Sequence, residues 1–160
     1  MSPLPPSLVH GALYLAAFAQ ARAPHVGLLI PYDNGSGYLV HIYIDRQKSP
    51  FWAFQCRKQK LAGDMFLTSL LMIGLPGSLT VAELKDIAMK VEVPLNDTFG
   101  ECLPWARRVV DALHRVEKIE VTDVDTLFEE FSRFAAGNSA YARRDRFPNV
   151  AVSTYCTTIC

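Results

Sequence analysis

The chain has 160 residues, 50% hydrophobic and 20% charged, which is enough apolar material for one core and too little chain for two ordinary domains. Sixteen basic residues balance sixteen acidic ones, so the electrostatic footprint of a general nucleic-acid binder is missing. No apolar run reaches the roughly 20 residues of a spanning helix, and the start lacks the basic region of a secretory leader, so we expect a cytoplasmic protein without an integral membrane segment.

After Pro3, Pro5 and Pro6, Ser7 is placed to cap a short helix through about Ala21, where Leu8, Ala12, Leu15 and Ala19 give an approximate helical stripe and alanine favours helix. The next segments predict a β-hairpin: His25 to Ile30 and Tyr38 to Ile44 are apolar, and Pro31-Tyr-Asp-Asn-Gly-Ser-Gly37 between them is rich in turn residues. With a loop over about residues 31 to 35, position 25 opposes position 41 across an antiparallel ladder, and the two imidazoles share a face. A slip of one residue would separate them.

Phe51 to Cys56 and Met65 to Met72 read as further strands, the second so uniformly apolar that a buried helix is the alternative. Thr80-Val-Ala-Glu83 is a capping-box pattern and opens a helix to about Lys90. Pro94, Asn96, Asp97 and Gly100 mark a loop. From Cys102 a helix is expected to run to about Glu117, with Pro104 in its first turn and Trp105, Val109, Ala112, Leu113 and Val116 on its apolar face. Thr122 or Asp123 caps another through about Ala136, with Val124, Leu127, Phe128, Phe131 and Phe134 inward. Residues 137–160 carry no comparable pattern and are expected to be a flexible end of a single domain spanning 1–160. The fold class is α+β, a small antiparallel sheet packed against helices.

Cys56, Cys102, Cys156 and Cys160 lack paired zinc spacing and are too sparse for a disulfide scaffold, so they read as reduced thiols. The terminal Cys156-Thr-Thr-Ile-Cys160 is not a prenylation box, because Thr157 holds the fourth place from the end. Arg143, Arg144 and Arg146 form a solvated patch. No glycine-rich phosphate loop and no metal-ligand spacing stand out, and no cofactor or metal is expected.

A thiolate at a helix amino terminus is stabilised by unsatisfied backbone N–H groups, which also suit an oxyanion on an acyl substrate. Cys102 occupies such a position, and His25 and His41 offer a base and a group to orient it. Asp45 or a backbone carbonyl is the alternative orienting group. His10, His114 and Cys56 read as structural, and Tyr43, Phe51 and Trp52 as core or as pocket lining.

Two segments carry a family resemblance. Pro24-His25-Val-Gly-Leu-Leu-Ile30 followed by Ser36-Gly-Tyr-Leu-Val-His41-Ile resembles the histidine box of lecithin retinol acyltransferase and the small phospholipase/acyltransferases, and Glu101-Cys102-Leu-Pro-Trp105 resembles their helix-opening cysteine segment. The layout also resembles a small fungal family with a histidine strand and an N-C-Q-x-W helix. Val26 stands where the acyltransferases carry tryptophan, Glu101 where they carry asparagine, and Pro104 where they carry a second histidine. The resemblance implies a permuted papain-like fold, with Cys102 as nucleophile, His25 as general base and His41 as its partner. A carboxylate at position 101 would oppose thiolate formation if it pointed to the sulfur.

The leading expectation is therefore a cysteine-dependent acyl-transfer, hydrolysis or cyclisation enzyme acting on a small hydrophobic or acyl substrate. The alternatives are a histidine acid/base cyclase or isomerase without a covalent step, and a non-catalytic binding domain on the same scaffold. Oligomeric state is not readable from this pattern.

Overall fold

The computed structural model describes residues 8–156, among which six strands form one sheet and three α-helices cover it. The strands are β1 (Leu13–Phe18), β2 (His25–Pro31), β3 (Ser36–Tyr43), β4 (Ala53–Lys60), β5 (Leu67–Gly74) and β6 (Asn149–Val152), in the spatial order β4-β3-β2-β1-β5-β6. Every neighbouring pair is antiparallel except β5 and β6, which run parallel. The α+β class expected from periodicity is what the chain adopts.

The helices are α1 (Val81–Met89), α2 (Cys102–Arg115) and α3 (Val124–Ala136). Thr80 caps α1 with the reciprocal bonds of a capping box: its hydroxyl accepts from Glu83 N–H at 3.1 Å, and Glu83 accepts from Thr80 N–H at 3.0 Å. Asp123 caps α3 by accepting from Asp125 N–H at 2.9 Å. At α2 the N-cap is Glu101, whose side chain makes no cap bond, preceded by Gly100 at φ +88°.

Two apolar clusters lie on opposite faces of the sheet. One joins Leu15, Val26, Leu28, Val40, Ile42 and Leu71 to the inner stripes of all three helices, including Trp105, Val109, Leu113 and Phe131. The other gathers Tyr14, Phe18, Leu29, Leu39, Leu70 and Met72 with Leu61 and Val150, and takes no helix residue. Each fully buried aliphatic side chain contributes on the order of 1.5–3 kcal/mol, and the helix-facing cluster is the larger of the two.

The expected amino-terminal helix is a strand instead. The Ser7 cap lies outside the described residues, and Leu13–Phe18 forms β1, bonded between β2 and β5. The physical reason is burial on both faces: Leu13, Leu15 and Ala17 join the helix-facing cluster, Tyr14, Ala16 and Phe18 the other. A doubly buried strand has no polar phase to reveal its period. Within residues 137–160, a 3-10 turn at Ser139–Tyr141 leads to β6, and Val121 bridges to Cys156; Cys160 lies outside the described residues.

Candidate active site

β2 and β3 form the expected hairpin, closed by Tyr32 N–H and Asp33 N–H donating to the Ser36 carbonyl at 3.1 and 3.3 Å, with an Asx turn from Asp33 to Gly35. Its register differs by two positions from the one expected. Leu28 pairs with Val40 and Pro31 with Gly37, which sets His41 opposite Gly27 rather than opposite His25. A change of two preserves the face, so the imidazoles still meet, now diagonally. Gly27 makes room for this. A Cβ there would stand 3.0 Å from His41 Cβ and 2.8 Å from Leu39 Cδ1.

His25 Nε2 lies 2.7 Å from His41 Nδ1, and His41 Nε2 lies 2.7 Å from Gln55 Oε1 on β4, the residue paired directly with His41. The amide oxygen can only accept, so His41 carries its proton on Nε2. His41 Nδ1 is then the acceptor for His25 Nε2–H, which leaves the lone pair of His25 on Nδ1. That nitrogen has no protein partner among the described residues, and His25 as a whole is only half-buried. Phe18, paired with His25 across β1 and β2, packs on its ring at 5.9 Å, and Tyr43 stacks on His41 at 5.6 Å.

Burial sets the charge state of the pair. Desolvation lowers His25 to about 4, helped by the charge of Arg57. It lowers His41 to about 3, against the bond that His41 donates to Gln55 and with His25 and Arg57 adding to the depression. Both rings are neutral at pH 7, one donor and one acceptor each.

Cys102 opens α2, as expected, but it does not join the histidines. Val26, Leu28 and Ile30 face the helices together with Cys102, whereas His25, Gly27 and Leu29 alternate to the other face of β2. The sheet therefore stands between the thiol and the imidazoles, and the expected Cys102–His25 dyad is not assembled. Cys102 is 1% exposed and lines an apolar cavity of about 260 Å³ with Pro24, Val26, Gly100, Leu103 and Phe131. Burial pushes its thiol up, against backbone N–H groups of Val26, Cys102 and Leu103 that pull it down, and the Glu101 carboxylate adds to the rise.

The remaining side chains take structural places. His10 bonds to Asn34 at 2.8 Å, His114 Nδ1 accepts from Val121 N–H at 3.3 Å, and Asp45 accepts from Gln47 N–H at 3.0 Å in the turn after β3 rather than reaching an imidazole. Trp52 donates to the Thr98 carbonyl. Arg143 pairs with Asp145, and Arg146 lies over Tyr141. Cys56 and Cys156 are free thiols, the second pushed up to about 11 by burial. Among the described residues no helix is long and apolar enough to cross a membrane, and no group of three His, Cys, Asp or Glu residues is placed to hold a metal ion.

Gln55 escaped the sequence reading. Its signal was the alternation Phe54-Gln55-Cys56-Arg57, which puts two polar residues on the face opposite Phe54 and Cys56. Compared with protein-family models, curated proteins and solved structures, the chain finds no significant match in any of the three.

Proposed function

We propose that the protein catalyses proton transfer on a small, largely apolar molecule, as an isomerase or cyclase without a covalent enzyme intermediate, with His25 as the acid/base and His41 and Gln55 as its positioning residues. One observation carries this reading: two successive 2.7 Å hydrogen bonds run from Gln55 through His41 to His25, whose other ring nitrogen has no protein partner among the described residues. Such a relay fixes tautomer and ring orientation, which a general base needs before its basicity matters.

In the step proposed, a substrate C–H bond adjacent to a carbonyl breaks, its electron pair moves into the carbonyl, and an N–H bond forms at His25 Nδ1. The resulting imidazolium leans on His41 Nδ1 through its Nε2–H. Return of the proton to a different atom completes isomerisation. In ring closure the enolate carbon instead bonds to a second carbonyl carbon of the same molecule, whose π pair moves onto its oxygen and takes the proton from His25. Neither course requires an outside oxidant or reductant.

The test is solvent deuterium exchange at the α-carbon of a panel of small ketones and keto acids, followed by proton NMR. Wild type should accelerate exchange, His25→Gln should abolish the acceleration, and Cys102→Ser should retain it. Exchange equal in wild type and His25→Gln, or none above background in wild type, would refute the reading for carbonyl C–H acids.

A thiol acyl-transfer reading has one observation in its favour: Cys102 begins α2 and borders a cavity of about 260 Å³. Its proton acceptor would have to come from the substrate, since both imidazoles of the pair face away. An acyl adduct on Cys102, found by intact mass after incubation with activated esters, would favour it over proton transfer.

A further inference from the structure

We propose that Arg57 is an anion-binding residue of the histidine face, and that the substrate is a small molecule bearing a carboxylate. The inference rests on the proton-transfer reading of His25 and names the substrate class for that site.

The sheet register places Arg57. Gln55 pairs with His41 and Arg57 with Leu39, so Gln55 and Arg57 are successive members of one row on the face that carries both imidazoles. Residues two apart along a strand are separated by about 6.6 Å, and diagonal neighbours across a pair by about 7–8 Å. A guanidinium on a long side chain spans that gap to His41, the diagonal neighbour of Arg57, while His25 lies two strands away and is reached through its bond to His41.

The charge is also uncommitted. Arg57 is exposed, its one recorded protein bond is NH1 donating to the Lys58 carbonyl at 3.4 Å, and it enters no ion pair among the described residues. The next position of the row is Gln59, which donates to Asp64 at 2.7 Å, and that carboxylate is held beyond the strand, also accepting from Phe66 and Leu67 N–H at 2.8 and 3.2 Å. Among the described residues, Phe18 from β1, Tyr43 from β3, and Gln55 and Arg57 from β4 bear on the imidazoles, and of these four Arg57 alone carries a charge.

A free cation beside two neutral imidazoles has a chemical consequence. It opposes their protonation, as its effect on both rings indicates. A carboxylate held by the planar fork of the guanidinium cancels that field and places a negative charge near His25. The ring then becomes a stronger base when a substrate is in place, and weak when the site is empty. By linkage the same coupling must make carboxylate binding tighter as the pair protonates.

The experiment follows the imidazole resonances of the isotopically labelled full chain during titration with acetate and benzoate, with acetamide and benzamide as neutral counterparts. In wild type the carboxylates should shift the His25 and His41 signals and raise their apparent pKa, while the amides should not. Arg57→Gln should bind on the order of tenfold more weakly or worse, and Arg57→Lys, which keeps the charge but not the fork, should fall between. Carboxylates that leave the imidazole signals of wild type unmoved, or move those of Arg57→Gln equally, overturn the proposal.

Deuterium exchange separates the two levels of inference. If wild type exchanges keto acids no faster than the matching neutral ketones, and His25→Gln abolishes both, the Arg57 subsite is wrong and the proton-transfer reading stands. If His25→Gln abolishes neither, the reading beneath it is wrong.

Discussion

Acid should unfold this protein at a higher pH than carboxylate titration alone would. His25 and His41 are held near 4 and 3, against 6.5 for an unhindered imidazole, with desolvation the largest cause in each. A base whose pKa falls on folding takes up more protons unfolded than folded. The resulting stability is complete above about pH 6.5 and is lost as pH falls toward the folded values. At pH 5 an ordinary imidazole in the unfolded chain is protonated about thirtyfold over neutral, while the folded pair is at most about a tenth protonated, which amounts to about 2 kcal/mol per ring and about 4 kcal/mol for both. That is a large share of a typical folding free energy of 5–15 kcal/mol. Urea unfolding at about pH 7, 6 and 5 should therefore show a steep fall with a slope approaching two protons. The double variant His25→Phe/His41→Leu should lose most of that slope whatever its absolute stability. Glu83, held at about 2 by Lys118 and the Thr80 cap, titrates below this window and does not confuse it. A flat profile in wild type between pH 7 and 5, or an undiminished slope in the double variant, would refute the burial argument.

Other expectations concern single side chains. Gly27→Ala pushes a methyl against His41 Cβ and Leu39 Cδ1, so we expect a loss of about 1–3 kcal/mol by urea unfolding and a shift of both imidazole resonances. Trp105 is fully buried and its indole N–H has no partner among the described residues; Trp105→Phe removes that orphan, so it should cost less than the 3–5 kcal/mol of truncation to alanine. Thr80→Ala should lower stability by about 0.5–2 kcal/mol through loss of the cap, read from thermal melts. Cys102 should resist iodoacetamide at pH 8 and react only as pH climbs past the ordinary thiol range, since burial raises it; rapid labelling at neutral pH in the folded protein would contradict its environment.

The elements that could be read directly were those with local punctuation. Thr80 and Glu83 announce α1 because their bonds are made within one turn, and Asp123 announces α3 in the same way. The hairpin was legible from Asp33 to Gly37, although the register had to be found in space. β1 was hidden because neither face meets water, and β6 because a four-residue parallel strand is specified by its neighbour β5 rather than by its own sequence. The site divided along the same line. That His25 and His41 share a face followed from parity; that Cys102 takes the other face depends on which side the helices cover. One clue was present: Val26, Leu28, Ile30, Val40 and Ile42 make the more apolar surface of the hairpin, and an apolar helix stripe belongs against it. Following the family resemblance past that clue is what placed the thiol beside the imidazoles.

β4 ends the sheet and is hydrogen-bonded to β3 alone. Arg57, Lys58 and Lys60 punctuate it with like charge, which discourages another chain from adding to the open rim. A border strand is also among the first parts of a sheet to detach, well before the core opens. Detachment would carry away Gln55 and Arg57 in one event, leaving His25 and His41 on an intact hairpin with no tautomer lock and no counter-cation. The protein would thus have a partly opened state, folded by every measure of its core yet chemically mute, and amide exchange along β4 would report how often it is visited.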